Sequence, residues 1–279
     1  MTCFSYSNGK FIHSYKAMVS INDRSVHFSD AVYEVVTVYN YRVLFWKEHI
    51  DRLKNSLNAI DIKFNLNSQS LLIKCEELIK KNHLREGIIY IHISRGIAKR
   101  NHNWSNNISP SLIISCSHKK TFNIYAKKIS LISHRDIRWH NCHIKTVSLL
   151  PNVLLKQKAL KKNAFECLML DDHGYITEAT TSNIWILKNN ILITTPLTSN
   201  ILPGVTRKKL IELAKILNIK VCEDKFKETD VYKADNVFIT NSSSIILEAN
   251  KLNGRKLKVK NNKILKYIKS EMLKVINNE

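Results

Sequence analysis

Lys145 lies in DIRWHNCHIKTVSLLPNVLLKQKAL, residues 136–160, between an alternating segment and a run that turns apolar and then helical. A neutral lysine amine is a nucleophile or a general base. Among 44 Lys and Arg residues its ordinary reading is a solvated charge. Other residues offer anion chemistry. Arg52, in EHIDRL, presents a guanidinium fork suited to phosphate oxygens, or pairs with Glu48 one turn away. Gly204, Val205 and Thr206 open a helix after Pro203, where unpaired backbone N–H groups and the helix dipole favour an anion. The spacing Arg100-x-His102 puts a bidentate donor beside a second donor on one loop, unless it is merely a basic loop in a basic protein. Glu178, in ITEATTSN, reads as a strand-end carboxylate, and Leu202 as an apolar residue entering the helix.

The elements that must position these residues follow from periodicity. Residues 17–21 and 32–39 carry β-branched and aromatic residues, and VLFW at 43–46 follows a turn at Asn40-Tyr41, which predicts a hairpin. Ile50, Leu53, Leu57 and Ile60 recur at helical spacing, as do Leu71, Leu72, Cys75, Leu78 and Ile79. Strands are expected at 88–96 and 111–116, joined by a polar loop that carries Arg100 and His102. Further strands are expected at 124–132 and 142–147, then a helix with Val153, Leu154, Leu155, Ala159 and Leu160. Strands at 165–170, 175–178, 184–187 and 191–195 are close enough to imply a compact sheet or barrel. A helix keeps Leu210, Leu213, Ala214 and Leu217 on one face, followed by a strand at 236–240, a turn at Asn253-Gly254 and a final helix. The fold class is α+β in two domains, 1–120 and 121–279.

Composition narrows the class. At 279 residues and 44% hydrophobic content the chain can bury a sizeable core. Its 6 Gly and 4 Pro leave little room for linkers or low-complexity segments. The net charge of +21 would attract nucleic acid or acidic membranes, but the lysines are scattered and no nucleic-acid-binding motif accompanies them. Neither nucleic acid nor membrane is therefore expected as a partner. Six separated cysteines without C-x-x-C read as reduced thiols, no metal-ligand spacing appears, and the absence of a leader or long apolar run points to the cytoplasm.

Taken in order, HFSDAVYEVVTVYN, EHIDRL, SRGIAKRNH, DIRWHNCHIKT, ITEATTSNIW and ILPGVTR resemble the class IV, fold-type IV aminotransferases, within that group most of all the D-amino acid aminotransferases. The resemblance covers about residues 15–250. It implies a small N-terminal α/β domain and a larger C-terminal domain with a barrel-like sheet, with pyridoxal 5′-phosphate as cofactor. It further implies that Lys145 forms the aldimine and shuttles the α-proton, and that Glu178 pairs with the pyridine nitrogen. Arg52, the Gly204–Val205–Thr206 N–H groups and Ser242 would hold the phosphate, with Leu202 against the ring. Tyr33, Arg100 and His102 would hold the substrate carboxylate, Arg100 and His102 reaching across a homodimer. The activity implied is transamination between a D-amino acid, D-alanine first, and 2-oxoglutarate. Aminodeoxychorismate lyase and branched-chain L-amino acid aminotransferase share the fold and are the alternatives; a basic nucleic-acid-binding protein is the alternative from another class. The chain departs from the family pattern at Ser29 and Ala31, where glycines are usual, at Ile245, where a carboxylate is common, and at Thr180 and Thr181, where serines are usual.

Overall fold

The computed structural model describes residues 3–120 and 128–279, and these group into two compact units. The first is Met1–Thr121 with Ile144–Ser148; the second is Phe122–His143 with Leu149–Glu279. The Lys145 segment thus packs with the first unit, whereas a cut between residues 120 and 121 would assign it to the second.

The first unit is a six-stranded antiparallel sheet under two helices. Its strands are β1 (Phe4–Ser7), β2 (Lys10–His13), β3 (Ala31–Tyr39), β4 (Arg42–Val43), β5 (Glu86–Ser94) and β6 (Ser111–His118), hydrogen-bonded in the order β2-β1-β6-β5-β3-β4. In β5, Gly87, Ile89, Ile91 and Ile93 point inward, the period-2 pattern of a sheet with one face on the core. The hairpin from β3 to β4 turns through Asn40 and Tyr41, both at positive φ, as a two-residue I′ turn requires. A short helix, α1 (Arg24–Phe28), precedes β3 and is capped by the Asp23 side chain. Helices α2 (Trp46–Ala59) and α3 (Ser68–Lys81) bury Ile50, Leu53 and Leu57, and Leu71, Cys75, Leu78 and Ile79, against the sheet.

Two expected strands do not form. Residues 17–21 are irregular, with Met18 and Ile21 85% and 77% exposed: β propensity without a pairing strand does not make a sheet. Residues 142–147 are likewise irregular, with a single bridge from Thr146 to Val32. The 43–46 strand is cut short because Trp46 begins α2.

The second unit is a nine-stranded sheet: β7 (Ile129–Arg135), β8 (Glu166–Leu170), β9 (Ile176–Ala179), β10 (Asn183–Lys188), β11 (Ile191–Thr194), β12 (Val221–Glu223), β13 (Asn236–Asn241), β14 (Ile245–Leu252) and β15 (Arg255–Lys256). The first part of the expected 124–132 strand lies outside the described residues. The path runs β12-β11-β10-β13-β14-β7-β8-β9, with β15 on β14. Residues 180–182 join β9, at one end of this path, to β10, third from the other, so the sheet has to curl into a half-barrel. Helices α4 (Leu150–Lys161) and α5 (Val205–Ile216) make the crossovers from β7 to β8 and from β11 to β12, both parallel pairs. Of the apolar residues expected to seat α4, only Leu155 and Ala159 are buried; Val153, Leu154 and Leu160 are exposed. The barrel core stacks Trp185 on Phe238 with the indole N–H donating to Thr240 Oγ1 at 3.0 Å. Helices α6 (Glu228–Lys233) and α7 (Lys263–Asn278) complete the unit. No helix among the described residues is long and apolar enough to cross a membrane.

Candidate active site

In the first unit the geometry around Lys145 is set by backbone bonds at the start of β3. Tyr33 N donates to Lys145 O at 3.0 Å, Val147 N to Ala31 O at 3.2 Å, and Lys145 N to Ser56 Oγ on α2 at 3.1 Å. The ammonium lies 4.1 Å from the centroid of the Tyr33 ring, so two of the residues singled out by sequence meet. Arg52, on the same face of α2 as Ser56, is turned into a buried cluster. Its Nε and Nη2 donate to the two oxygens of Glu34, both at 2.7 Å, and His49 Nδ1 lies 2.7 Å from Glu34 Oε2. Glu34 is fully buried, yet Arg52 and His49 overcome the upward pull of burial and hold its carboxyl far below the usual range. Burial lowers the His49 pKa despite Glu34. An ionised Glu34 only accepts, so the His49 Nδ1 that faces it carries a proton.

Arg100 and His102 meet on a second ring. The Arg100 guanidinium is 5.3 Å and the His102 ring 5.2 Å from the Phe28 centroid, both on the exposed loop after β5. That loop leaves the strand through Gly96, at φ +115°, where a Cβ would lie 2.0 Å from Ser109 O. Only glycine fits there.

In the second unit Glu178, on β9, is buried and surrounded by donors. Arg138 Nη1 reaches its Oε1 at 2.5 Å, Asn183 Nδ2 its Oε2 at 3.1 Å, and the Leu202 N–H both oxygens at 3.2 and 3.3 Å. Burial pushes its pKa up against the pull of Arg138. Arg138 is itself fixed by Asp136, with Nη2 at 2.8 Å from Oδ2, and by the Asn200 carbonyl at 2.9 Å. Asn183 also donates to Leu202 O at 3.0 Å, so one amide ties β10 to the segment before α5. At the start of α5 Gly204 is the N-cap with no side-chain cap, and a Cβ there would lie 1.9 Å from Asn183 Oδ1. Val205 and Thr206 begin the helix, and the buried Thr206 hydroxyl has no hydrogen-bond partner. Ser242 lies in the turn between β13 and β14, where Asn241 Oδ1 accepts from Ser243 Oγ and Ser244 N at 3.2 and 2.8 Å.

The family model of amino-transferase class IV matches residues 31–252, from the first residue of β3 to the last of β14. The chain belongs to this family. The D-alanine aminotransferase of Bacillus licheniformis is 33% identical over 249 residues, 89% of this chain and 88% of that one. A Legionella pneumophila protein described as a 4-amino-4-deoxychorismate lyase is similar in structure, with a TM-score of 0.86 at 25% identity over 94% of this chain and 97% of that one. The branched-chain amino acid aminotransferase of Escherichia coli has the same fold, with a TM-score of 0.88 at 24% identity over 98% and 94%.

Class IV aminotransferases use pyridoxal 5′-phosphate, and each unit taken by itself carries groups that suit part of it. An uncapped twelve-residue helix opening on a glycine, with an orphaned buried hydroxyl in its first turn, suits a phosphate. A buried carboxylate suits a protonated ring nitrogen, and an amine suits an aldehyde. The sequence reading passed over Glu34, His49, Arg138 and Asn183. An acid inside an apolar strand, as in VYEVV, is a signal that could have found Glu34, since such an acid is buried only with a partner.

Proposed function

We propose that this class IV aminotransferase moves an amino group between a D-amino acid and a 2-oxo acid, with D-alanine and 2-oxoglutarate giving pyruvate and D-glutamate. The observation that carries the reading is the pairing of Arg100 and His102 on Phe28, two cation-capable donors gathered to grip a carboxylate. The D-alanine aminotransferase relative supports the choice of amino acid. Tyr33 supplies a further donor to the substrate, and Arg100 and His102 serve the site of a neighbouring subunit in a cytoplasmic homodimer. The domains are a small N-terminal one, 1–120, with which Ile144–Ser148 packs, and a larger C-terminal one, 121–279.

When bound, the cofactor supplies an electron-accepting ring and a carbonyl carbon. Lys145 Nζ would hold the cofactor and act as the base that takes the proton from the substrate α-carbon. Glu178 would keep a proton on the ring nitrogen, and Leu202 would pack against the ring. Arg52, the Gly204, Val205 and Thr206 N–H groups and Ser242 bind the phosphate. Two half-reactions of this kind make a ping-pong cycle.

The test is the absorbance spectrum of the purified protein with cofactor, followed on adding D-alanine or L-valine, together with product analysis. D-Alanine with 2-oxoglutarate should shift the band and yield D-glutamate. Lys145→Ala should lose the bound-cofactor band and about 10²–10⁴-fold or more of the turnover. Pyruvate released from aminodeoxychorismate, without D-glutamate in the first assay, would replace this reading with the lyase, which the Legionella structure supports. A response to L-valine alone would replace it with the branched-chain activity.

A further inference from the structure

We infer that Arg24 is a positioning residue for the substrate loop, fixing Arg100 and His102 without touching substrate; this rests on the carboxylate-binding reading of that pair. Arg24 is 3% exposed, and its guanidinium does more than pair with a carboxylate. Nε donates to Asp30 Oδ2 at 2.7 Å, while Nη1 donates to Asn101 O at 2.6 Å and Asn103 O at 3.4 Å, and Nη2 to His102 O at 3.3 Å. Three consecutive carbonyls of the loop therefore converge on one buried cation.

The loop has nothing comparable of its own. Residues 101–107 are exposed and without regular structure, so apolar burial does not set their shape. What holds them is the frame behind Arg24. Asp30 is shared with Arg95, whose Nε and Nη2 donate to it at 2.8 and 3.0 Å, and Arg95 is in turn bound to the carbonyls of Ile60 and Asp61 at 2.6 and 2.7 Å. Trp104 lies 4.0 Å over Arg95, closing the far end of the loop. Phe28 is 4.7 Å from the Arg24 guanidinium and carries Arg100 and His102 at 5.3 and 5.2 Å. One planar cation thus locks the loop backbone and supports the ring on which both side chains rest. A lysine, with a compact ammonium, cannot reach Asp30 and three carbonyls together.

The inference is tested with Arg24→Gln and Arg24→Lys holoenzymes, each alone and combined with Arg100→Ala, measuring kcat and KM for D-alanine and 2-oxoglutarate. Misplacing the loop should raise both KM values about 10–100-fold with kcat and the cofactor band held. In the Arg100→Ala background the Arg24 change should add less than it does in the wild type, because only its part through His102 remains. Arg24→Lys keeps the charge beside Asp30 and carries the test where the Gln variant does not fold. Unchanged KM in the Arg24 variants while Arg100→Ala raises it overturns the inference alone, as do a fall in kcat at constant KM and effects that multiply in the double variant. Unchanged KM in Arg100→Ala overturns the carboxylate reading itself, and the inference with it.

Discussion

Replacing Glu34 with Gln tests the buried cluster that orients Arg52. Glu34 is wholly inaccessible and accepts three bonds of 2.7 Å, two from Arg52 and one from His49. Glutamine fills the same space but turns an NH₂ toward at least one of those donors and leaves a buried guanidinium beside a neutral amide. Removing one partner of a buried ion pair costs about 3–5 kcal/mol. At roughly 2–4 °C per kcal/mol for a chain of this size, Tm should fall by about 6–20 °C. The pH dependence has a definite sign. Because the Glu34 pKa is depressed, its contribution is complete above the unfolded carboxylate value, about 4.3, and is lost only as pH falls toward the folded value. The gap between wild type and variant should therefore stay flat from about pH 5 to 8 and narrow only in stronger acid. Thermal denaturation followed by circular dichroism, without added cofactor, reads both quantities. Adding Arg52→Met should restore much of the loss, since it removes the stranded charge. A Tm change under about 2 °C, or a gap that closes between pH 8 and pH 5, would refute the reasoning. So would a double variant no better than the single.

Two further substitutions probe backbone geometry. Gly204→Ala puts a Cβ 1.9 Å from Asn183 Oδ1 and displaces an amide that serves both Glu178 and Leu202; cofactor affinity, read by equilibrium dialysis, should fall at least about tenfold, and an unchanged affinity would sever the α5 N-terminus from the cofactor. Ser29 ends α1 at φ +55°, so Ser29→Gly should raise stability by about 0.5–1 kcal/mol in urea unfolding, and a loss would show that the Ser29 side chain contributes more than its conformation costs.

Much of the architecture was legible because buried elements carry their period in the sequence. Helices α2 and α3 and strands β3 and β5 show it in Leu53, Leu57, Cys75, Leu78, Ile89 and Ile91. Residues 17–21 misled because composition records strand propensity but not the presence of a partner strand. Strand β14 escaped because IILEANKL begins as a continuous apolar run straight after a serine turn, where period and boundary are both blurred. At the site, Lys145, Tyr33, Glu178, Arg100 and His102 were singled out by type and order, whereas Glu34, His49, Arg138 and Asn183 were not. Nothing in the spacing of Glu34 and Arg52, or of Arg138 and Glu178, says that they meet, because those contacts are made by sheet register and not by neighbours along the chain.

The departures from the family pattern acquire a physical meaning from the same geometry. Of the two missing glycines only that at residue 29 stands at positive φ; Ala31 is ordinary strand, buried in β3, where a methyl group is accommodated. Ile245 is the more demanding case, a β-branched residue at φ +60° immediately after the turn that carries Ser242. Such a conformation costs of order 1–3 kcal/mol and persists only where its surroundings over-determine it. Here they do. Asn241 gathers Ser243 and Ser244 on its oxygen and donates through Nδ2 to Ser182 Oγ at 2.9 Å, and Ser182 Oγ donates to the buried Glu166 at 3.1 Å. Glu166 also accepts from Thr181 Oγ1 at 2.5 Å, so Thr181 keeps the hydroxyl that this chain of bonds uses where a serine is usual. The turn shape is therefore fixed from the Asn241 side and does not depend on a carboxylate at residue 245, whose side chain is instead buried as core. The turn that carries Ser242 is thus held by β13 and the Glu166 network with an apolar, buried residue at 245.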